Sequence, residues 1–106
     1  MRFLVVTEPN TPIPPEAVLG LYGAMKVWKA GYTATGKMEQ IWAFANGKGG
    51  CGVVNVYSLE ELNQMAAEYP FQPFSSMDIY ALVDFDTSVD NATKAFSAMM
   101  AGMAKH

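Results

Sequence analysis

The spacing of apolar residues changes along the chain, and each change marks an element. Residues 2–7, Arg-Phe-Leu-Val-Val-Thr, form a short Val-rich run that predicts a strand. Prolines at 9, 12, 14 and 15 then fix φ and remove N–H donors, so the strand cannot continue. From 15 to 30, Val18, Leu21, Tyr22, Met25 and Trp28 recur at three- and four-residue spacing, one face of an amphipathic helix. Pro15 and Glu16 suit its first turn, and Gly31 is placed to end it. Gly20 and Gly23, lacking side chains, would permit another element to approach closely.

Residues 37–45 read as a second strand, with Met38, Trp42 and Phe44 on one side and Ile41 and Ala43 on the other. Asn46-Gly47 opens a turn that accepts positive φ, and 51–57 is the returning strand. Ser58-Leu59-Glu60-Glu61 is a capping box: the serine accepts from the third helical N–H and the glutamate reaches back to the cap. The helix it starts carries Leu59, Leu62, Met65, Ala66 and Tyr69 on one stripe, and Pro70 stops it. After an extended connection, 70–74, residues 77–85 alternate as a fourth strand, with Met77, Ile79, Ala81, Val83 and Phe85 on one side. A last helix over 88–104, capped by Thr87 or Ser88, lines up Val89, Ala92, Phe96, Met99 or Met100, and Met103. Such a Met-rich face adapts to irregular surfaces and is expected to pack on its own subunit or a partner's.

The order β-α-β-β-α-β is the ferredoxin-like split βαβ arrangement. The expected fold class is α+β: one domain over 1–106, a four-stranded antiparallel sheet with two helices on one face, and 87–106 as a C-terminal helical extension. The other sheet face would leave apolar side chains in water. Two such sheets packed face to face would cover them, which predicts a homodimer.

Composition sharpens this picture. Apolar residues are 51% of the chain and charged residues 16%, which excludes a disordered, charge-rich segment. That is more apolar residue than one small core needs, and the surplus calls for a self-association face, a ligand cavity or both. The net charge of −3 gives no basic face for nucleic acid. No apolar stretch approaches the ~18 residues of a membrane span, and the run at 3–6 is too short for a signal peptide. Cys51 is the one cysteine and His106 the one histidine. A multi-ligand metal site within one subunit is thereby excluded, no metal or cofactor is expected, and a lone thiol fits a reducing cytosol. The glycine-rich segment 46–50 lacks GxxxxGK[ST] and joins two strands, so it reads as a hairpin turn and not a phosphate loop.

With one terminal histidine, Ser-His and Cys-His catalysis fall away; His106 is given no role, since chain ends fray. Carboxylates remain. Glu39 and Asp78 are the candidate catalytic residues, because a strand carboxylate turned into a cavity gains base strength by desolvation. The alternatives are a solvated edge-strand charge for Glu39 and a strand-entrance charge for Asp78. Lys37 could polarise a ligand carbonyl or carboxylate, or simply guard a strand end. Tyr22, Trp42, Tyr57 and Tyr80 could line a pocket for a small apolar or aromatic ligand, each offering an apolar body and a polar tip; ordinary core or interface packing is the alternative. Trp28 and Phe96 read as helix-packing residues, Cys51 as a small core or pocket-lining one. Arg2, the one arginine, reads as a surface residue.

The stretch from Gly36 to Leu82 carries a resemblance. It runs through Gly36-Lys37, Ile41-Trp42, the glycine turn, Val53-Val54-Asn55-Val56 and Ser58-Leu59-Glu60-Glu61-Leu62. It ends in Tyr69-Pro70-Phe71-Gln72-Pro73-Phe74 and Met77-Asp78-Ile79. In these residues the chain resembles the muconolactone isomerase family of the dimeric α/β-barrel superfamily, and the Pro-x-x-Pro segment is the most distinctive part. The resemblance implies sheets joined across a dimer and an isomerase that shifts a double bond in a small lactone by moving a proton. The family's first helix bears acidic residues, whereas here it reads Ala24-Met25-Lys26-Val27-Trp28. A non-catalytic ligand-binding or oligomerisation module of the same fold is the alternative function, and a cofactor-free monooxygenase a further one.

Overall fold

A computed structural model describes residues 1–104. Strand β1 (Arg2–Pro9) leads through the proline segment into a short 3-10 turn at Pro15–Ala17 and helix α1 (Val18–Ala34). Strands β2 (Met38–Ala43) and β3 (Gly50–Asn55) form a hairpin, followed by helix α2 (Leu59–Glu68), a 3-10 turn at Gln72–Phe74, strand β4 (Ser75–Leu82) and helix α3 (Phe85–Ala104). The sheet order is β2-β3-β1-β4, all pairs antiparallel. This is the ferredoxin-like α+β arrangement that the periodicity predicts.

The registers sort the side chains into two faces. Phe3 lies opposite Val54 and Ala81, Val5 opposite Gly52 and Ile79, and Thr7 opposite Gly50 and Met77. This set faces the helices, and Phe3, Met38, Val54 and Val56 join Leu62 and Met65 of α2 in the core. No β4 residue belongs to that core, and Ile79, on the helix side, is 42% exposed. The opposite, open face carries Leu4 and Val6, flanked by Val53, Trp42, Tyr80 and Leu82.

Four local expectations are corrected. Helix α1 runs past Gly31 to Ala34, and Gly36, at φ 77°, makes the left-handed exit instead. Gly20 and Gly23 face open space, so nothing uses the approach they allow. In β2 the register shifts between Met38 and Gln40. This bulge at Glu39 puts Met38, Ile41 and Ala43 on the helix side and sends Trp42 to the open face, because one extra residue inverts the alternation. Finally, β4 ends at Leu82. Asp84, not Thr87 or Ser88, caps α3, its Oδ2 accepting from the Thr87 N–H at 3.1 Å and from the Thr87 hydroxyl at 3.2 Å.

The capping box forms as read: the Glu61 N–H donates to Ser58 Oγ at 3.2 Å, and Glu61 Oε2 accepts the Tyr57 N–H at 3.0 Å. Leu62 and Met65 are buried behind it, while Leu59 at the helix start is exposed.

Candidate functional site

Between the sheet and the two packed helices lies a cavity of about 500 Å³. Four parts of the chain build most of it, and Ser75 and Met77 of β4 close one side. β1 supplies Val5 and Thr7, α1 supplies Tyr22, Met25, Trp28 and Lys29, the β2–β3 hairpin supplies Ile41, Ala43 and the glycines at 49, 50 and 52, and α2 with its exit supplies Met65, Ala66, Tyr69 and Phe71. Helical spacing places Tyr22, Met25 and Trp28 on the sheet-facing side of α1. Pro70 ends α2 and turns the chain so that Tyr69 and Phe71 both reach the cavity.

Its aromatic wall is continuous. Tyr22 meets Phe71 at 5.9 Å between ring centroids, Phe71 meets Tyr69 at 6.2 Å, and Tyr69 meets Trp28 edge-on at 5.3 Å. Edge-to-face contact aims positive ring edges at negative ring faces and so fixes the orientation of each ring. The Trp28 indole N–H donates to the Met65 carbonyl at 3.2 Å, which locks the indole against α2.

Thr7 is the one buried polar side chain among the described residues. Its hydroxyl donates to the Gly50 carbonyl at 3.4 Å and lies 3.3 Å from the Tyr69 hydroxyl. A threonine has one hydroxyl proton, so Tyr69 is left to donate to Thr7. Both distances are long for O–H···O bonds, whose usual range is ~2.5–3.0 Å. The pair is therefore loosely engaged and free to turn toward a ligand.

A charged layer holds the helices behind this wall. The Lys37 ammonium lies 2.5 Å from Glu61 Oε1, a buried oxygen with no other hydrogen-bond partner. This contact, with the Tyr57 N–H, holds the Glu61 carboxyl below its ordinary value of 4.5. The Tyr32 hydroxyl donates to Glu68, tying α1 to α2. Burial foremost, then that hydrogen bond, pushes Tyr32 up to about 12, and Glu68 is held low by Tyr32 and Gln64. A carboxyl whose folded pKa is depressed contributes stability that is complete above its unfolded value and is lost as pH falls through the folded one. Glu61→Gln is thus expected to flatten the loss of thermal stability below about pH 4.5, leaving the share due to Glu68. An unchanged acid limb would contradict this.

The predicted site residues separate. Tyr22 lines the cavity, whereas Trp42 only borders it at the hairpin, its register placing the side chain on the open face. Lys37 precedes β2 and is spent on Glu61. Glu39 occupies the bulge and pairs with Arg2, Nε to Oε1 at 2.9 Å. Asp78 lies opposite Val6 and Tyr80 opposite Leu4, both exposed on the open sheet face. Tyr57 is 93% exposed. His106 lies outside the described residues. Among the described residues no carboxylate lines the cavity. The cavity residues that the sequence reading passed over are Thr7, Lys29, Tyr69 and Phe71. Thr7 had a legible signal: it is a hydroxyl at the inward parity of an otherwise apolar strand.

Fold and cavity together define a ferredoxin-like α+β domain with an aromatic-walled pocket between sheet and helices. Residues 1–88 match the sequence profile of muconolactone delta-isomerase, and the chain belongs to that family. Among solved structures it is similar to a crystal structure of muconolactone isomerase, with a TM-score of 0.72 and 21% identity over 79% of this chain and 90% of that one. It is also similar to 5-chloro-2-hydroxyhydroquinone dehydrochlorinase from Burkholderia phenoliruptrix AC1100, in complex with 2,5-dihydroxybenzoquinone. There the TM-score is 0.62 and the identity 14%, over 82% of this chain and 98% of that one. At these identities the two structures establish the shared fold. A comparison with curated protein sequences finds no match. Among the described residues no helix is long and apolar enough to cross a membrane.

Proposed function

We propose that this chain is an isomerase that binds a small cyclic metabolite, a lactone or an oxygenated aromatic ring, in the sheet–helix cavity and moves a proton on it. One observation carries the reading: the apolar, aromatic-walled cavity has the paired hydroxyls of Thr7 and Tyr69 inside it. Aromatic walls sandwich a flat ring, and a few placed polar groups orient it. Shifting a double bond in a lactone removes a proton from one carbon and delivers one to another, with negative charge gathering on the carbonyl oxygen between. A hydroxyl donor aimed at that oxygen stabilises the charge where it develops. Family membership and the 2,5-dihydroxybenzoquinone bound in the structurally similar dehydrochlorinase support this class of ligand.

Glu39 and Asp78 are proposed as the acid–base carboxylates. Both stand on the open sheet face, away from their own chain's cavity, so in this proposal they act on a ligand held in the cavity of a neighbouring subunit that opens against that face. A cytosolic location is part of the same reading, resting on the single free cysteine, Cys51. The test is turnover of a panel of small lactones. Thr7→Val, which keeps the shape and removes the hydroxyl, is expected to lower kcat/KM by about tenfold, the ~1.4 kcal/mol scale of one hydrogen bond. Glu39→Gln and Asp78→Asn are expected to lower kcat; unchanged kcat in both would remove them from the chemistry.

A second reading has its own support. The cavity wall of the single chain lacks a carboxylate, which suits a module that binds such a ring without transforming it. Saturable binding with no turnover would favour it.

A further inference from the structure

Among the described residues the cavity wall carries one charged side chain, the cation of Lys29, and its hydroxyl pair is Thr7 with Tyr69. The two hydroxyls are not equivalent. Thr7 is 7% exposed and stands in the sheet opposite Gly50 of β3 and Met77 of β4. Its one proton goes to the Gly50 carbonyl, and its oxygen accepts from Tyr69. Tyr69 is half-buried at the exit of α2, with its ring held edge-on by Trp28 and tilted against Phe71. With the ring held, the torsion about its C–O bond decides where the phenolic proton points.

That proton order can reverse at little cost. The Thr7 oxygen lies 3.4 Å from the Gly50 carbonyl oxygen and 3.3 Å from the Tyr69 oxygen. Turning the Thr7 proton from Gly50 to Tyr69 therefore exchanges one long hydrogen bond for another. The same turn releases the Tyr69 proton into the cavity, and Thr7 then donates to the oxygen that holds it. Hydrogen bonds in a chain polarise one another, so a phenol that receives one donates the next more strongly. A chain of this order ends on a donor, and the partner it suits is an oxygen that accepts and has no proton of its own.

We infer that Tyr69 is the residue that meets the ligand, that Thr7 is a positioning residue behind it, and that the group they receive is a ring oxyanion, an enolate or phenolate oxygen. This rests on the cavity being the ligand site of the isomerase proposed above, and it divides the hydroxyl pair into two roles. Three features of the site agree on an oxyanion. The rings of Trp28 and Phe71 hold Tyr69 in place before a ligand arrives, so its donor is preorganised. The aromatic wall lowers the local polarity, where a hydrogen bond to charge is stronger than in water. Lys29, the one charge in that wall, has the sign an oxyanion needs.

Ligand binding by the full-length chain tests this with two probes of one ring size: pentafluorophenol, which is ionised at neutral pH, and pentafluorotoluene, which has no oxygen. Both are read by the fluorescence of Trp28 in the cavity wall. Wild type is expected to bind both saturably. Tyr69→Phe keeps the ring and is expected to weaken binding of the phenolate about thirtyfold, the scale of one hydrogen bond to a charged oxygen, and that of pentafluorotoluene by about twofold at most. Thr7→Val is expected to weaken the phenolate by a smaller factor, and Thr7→Ser, which returns the hydroxyl, to restore it. The assignment is overturned by a wild type that does not bind the phenolate, by unchanged phenolate affinity in Tyr69→Phe, by equal losses for the two probes, or by a larger loss in Thr7→Val than in Tyr69→Phe. Neither probe is turned over, so the result is separate from the isomerase reading. The expected affinities beside an unchanged lactone would uphold the oxyanion site and count against the isomerase alone.

Discussion

Gly49→Ala is expected to cost about 3 kcal/mol or more of folding stability, a large share of the total for a domain of this size. Two effects add. Gly49 sits at φ 90°, where a side chain costs on the order of 1–2 kcal/mol. A Cβ there would also stand 2.0 Å from the Thr7 carbonyl oxygen and 3.1 Å from the Glu8 Cα, both main-chain atoms of the central strand. Those atoms cannot swing aside, so the hairpin must lift off β1, at a further ~1–3 kcal/mol typical of overpacking. The displaced strand residue is Thr7, so the cavity's hydroxyl pair is disturbed as well. Gly47→Ala is the internal control: φ is 76° but nothing lies within 4 Å, so a loss of about 1 kcal/mol is expected. Urea denaturation of both variants checks the contrast. Equal losses would mean that the close approach of the hairpin to β1 carries no weight.

Ala66→Phe is expected to abolish ligand binding while leaving the fold intact. Ala66 lies on α2 and its methyl group points into the cavity between Met65 and Tyr69 of the same wall. A phenyl group there enters existing space and takes the place of the ring that would otherwise stack on Trp28 and Tyr69. A ring-sized ligand buries on the order of 150 Å². At ~25 cal/mol/Å² that burial is worth ~4 kcal/mol, or close to a thousandfold in affinity. The readout is intrinsic fluorescence, because Trp28 lines the cavity and stacks edge-on against Tyr69 in its wall. Wild type should show saturable quenching by lactones and oxygenated aromatic acids, and the variant none at the same concentrations. Equal quenching in the two proteins would place the ligand elsewhere.

The periodicity of the chain made the fold legible, because strand and helix spacings are set by backbone geometry and the prolines and the Ser58 box punctuate them sharply. What it hid were single-residue events. The bulge at Glu39 adds a residue without changing composition, so strict alternation assigned Ile41 and Trp42 to the wrong faces. Val83-Asp84-Phe85 alternates like a strand, yet the Asp84 side chain satisfies the first N–H groups of a helix and ends β4 early. The candidate site was legible in part for the same reason. Tyr22 faces the cavity because helical spacing places it there. Thr7, Tyr69 and Phe71 come from a strand end and a proline-flanked connection, and they meet only through tertiary packing. Glu39 and Asp78 qualify by chemical type alone, and in the single chain the fold turns both toward the open sheet face.

The most direct measurement of the central claim follows muconolactone by proton NMR in D2O with the full-length protein. The expected result is a shift of the ring double bond with deuterium at the newly protonated carbon, fast in wild type, about tenfold slower in Thr7→Val, and absent in Ala66→Phe. A lactone that stays unchanged and unlabelled, while fluorescence shows it bound in the wild-type cavity, would contradict the isomerase reading and leave a binding protein.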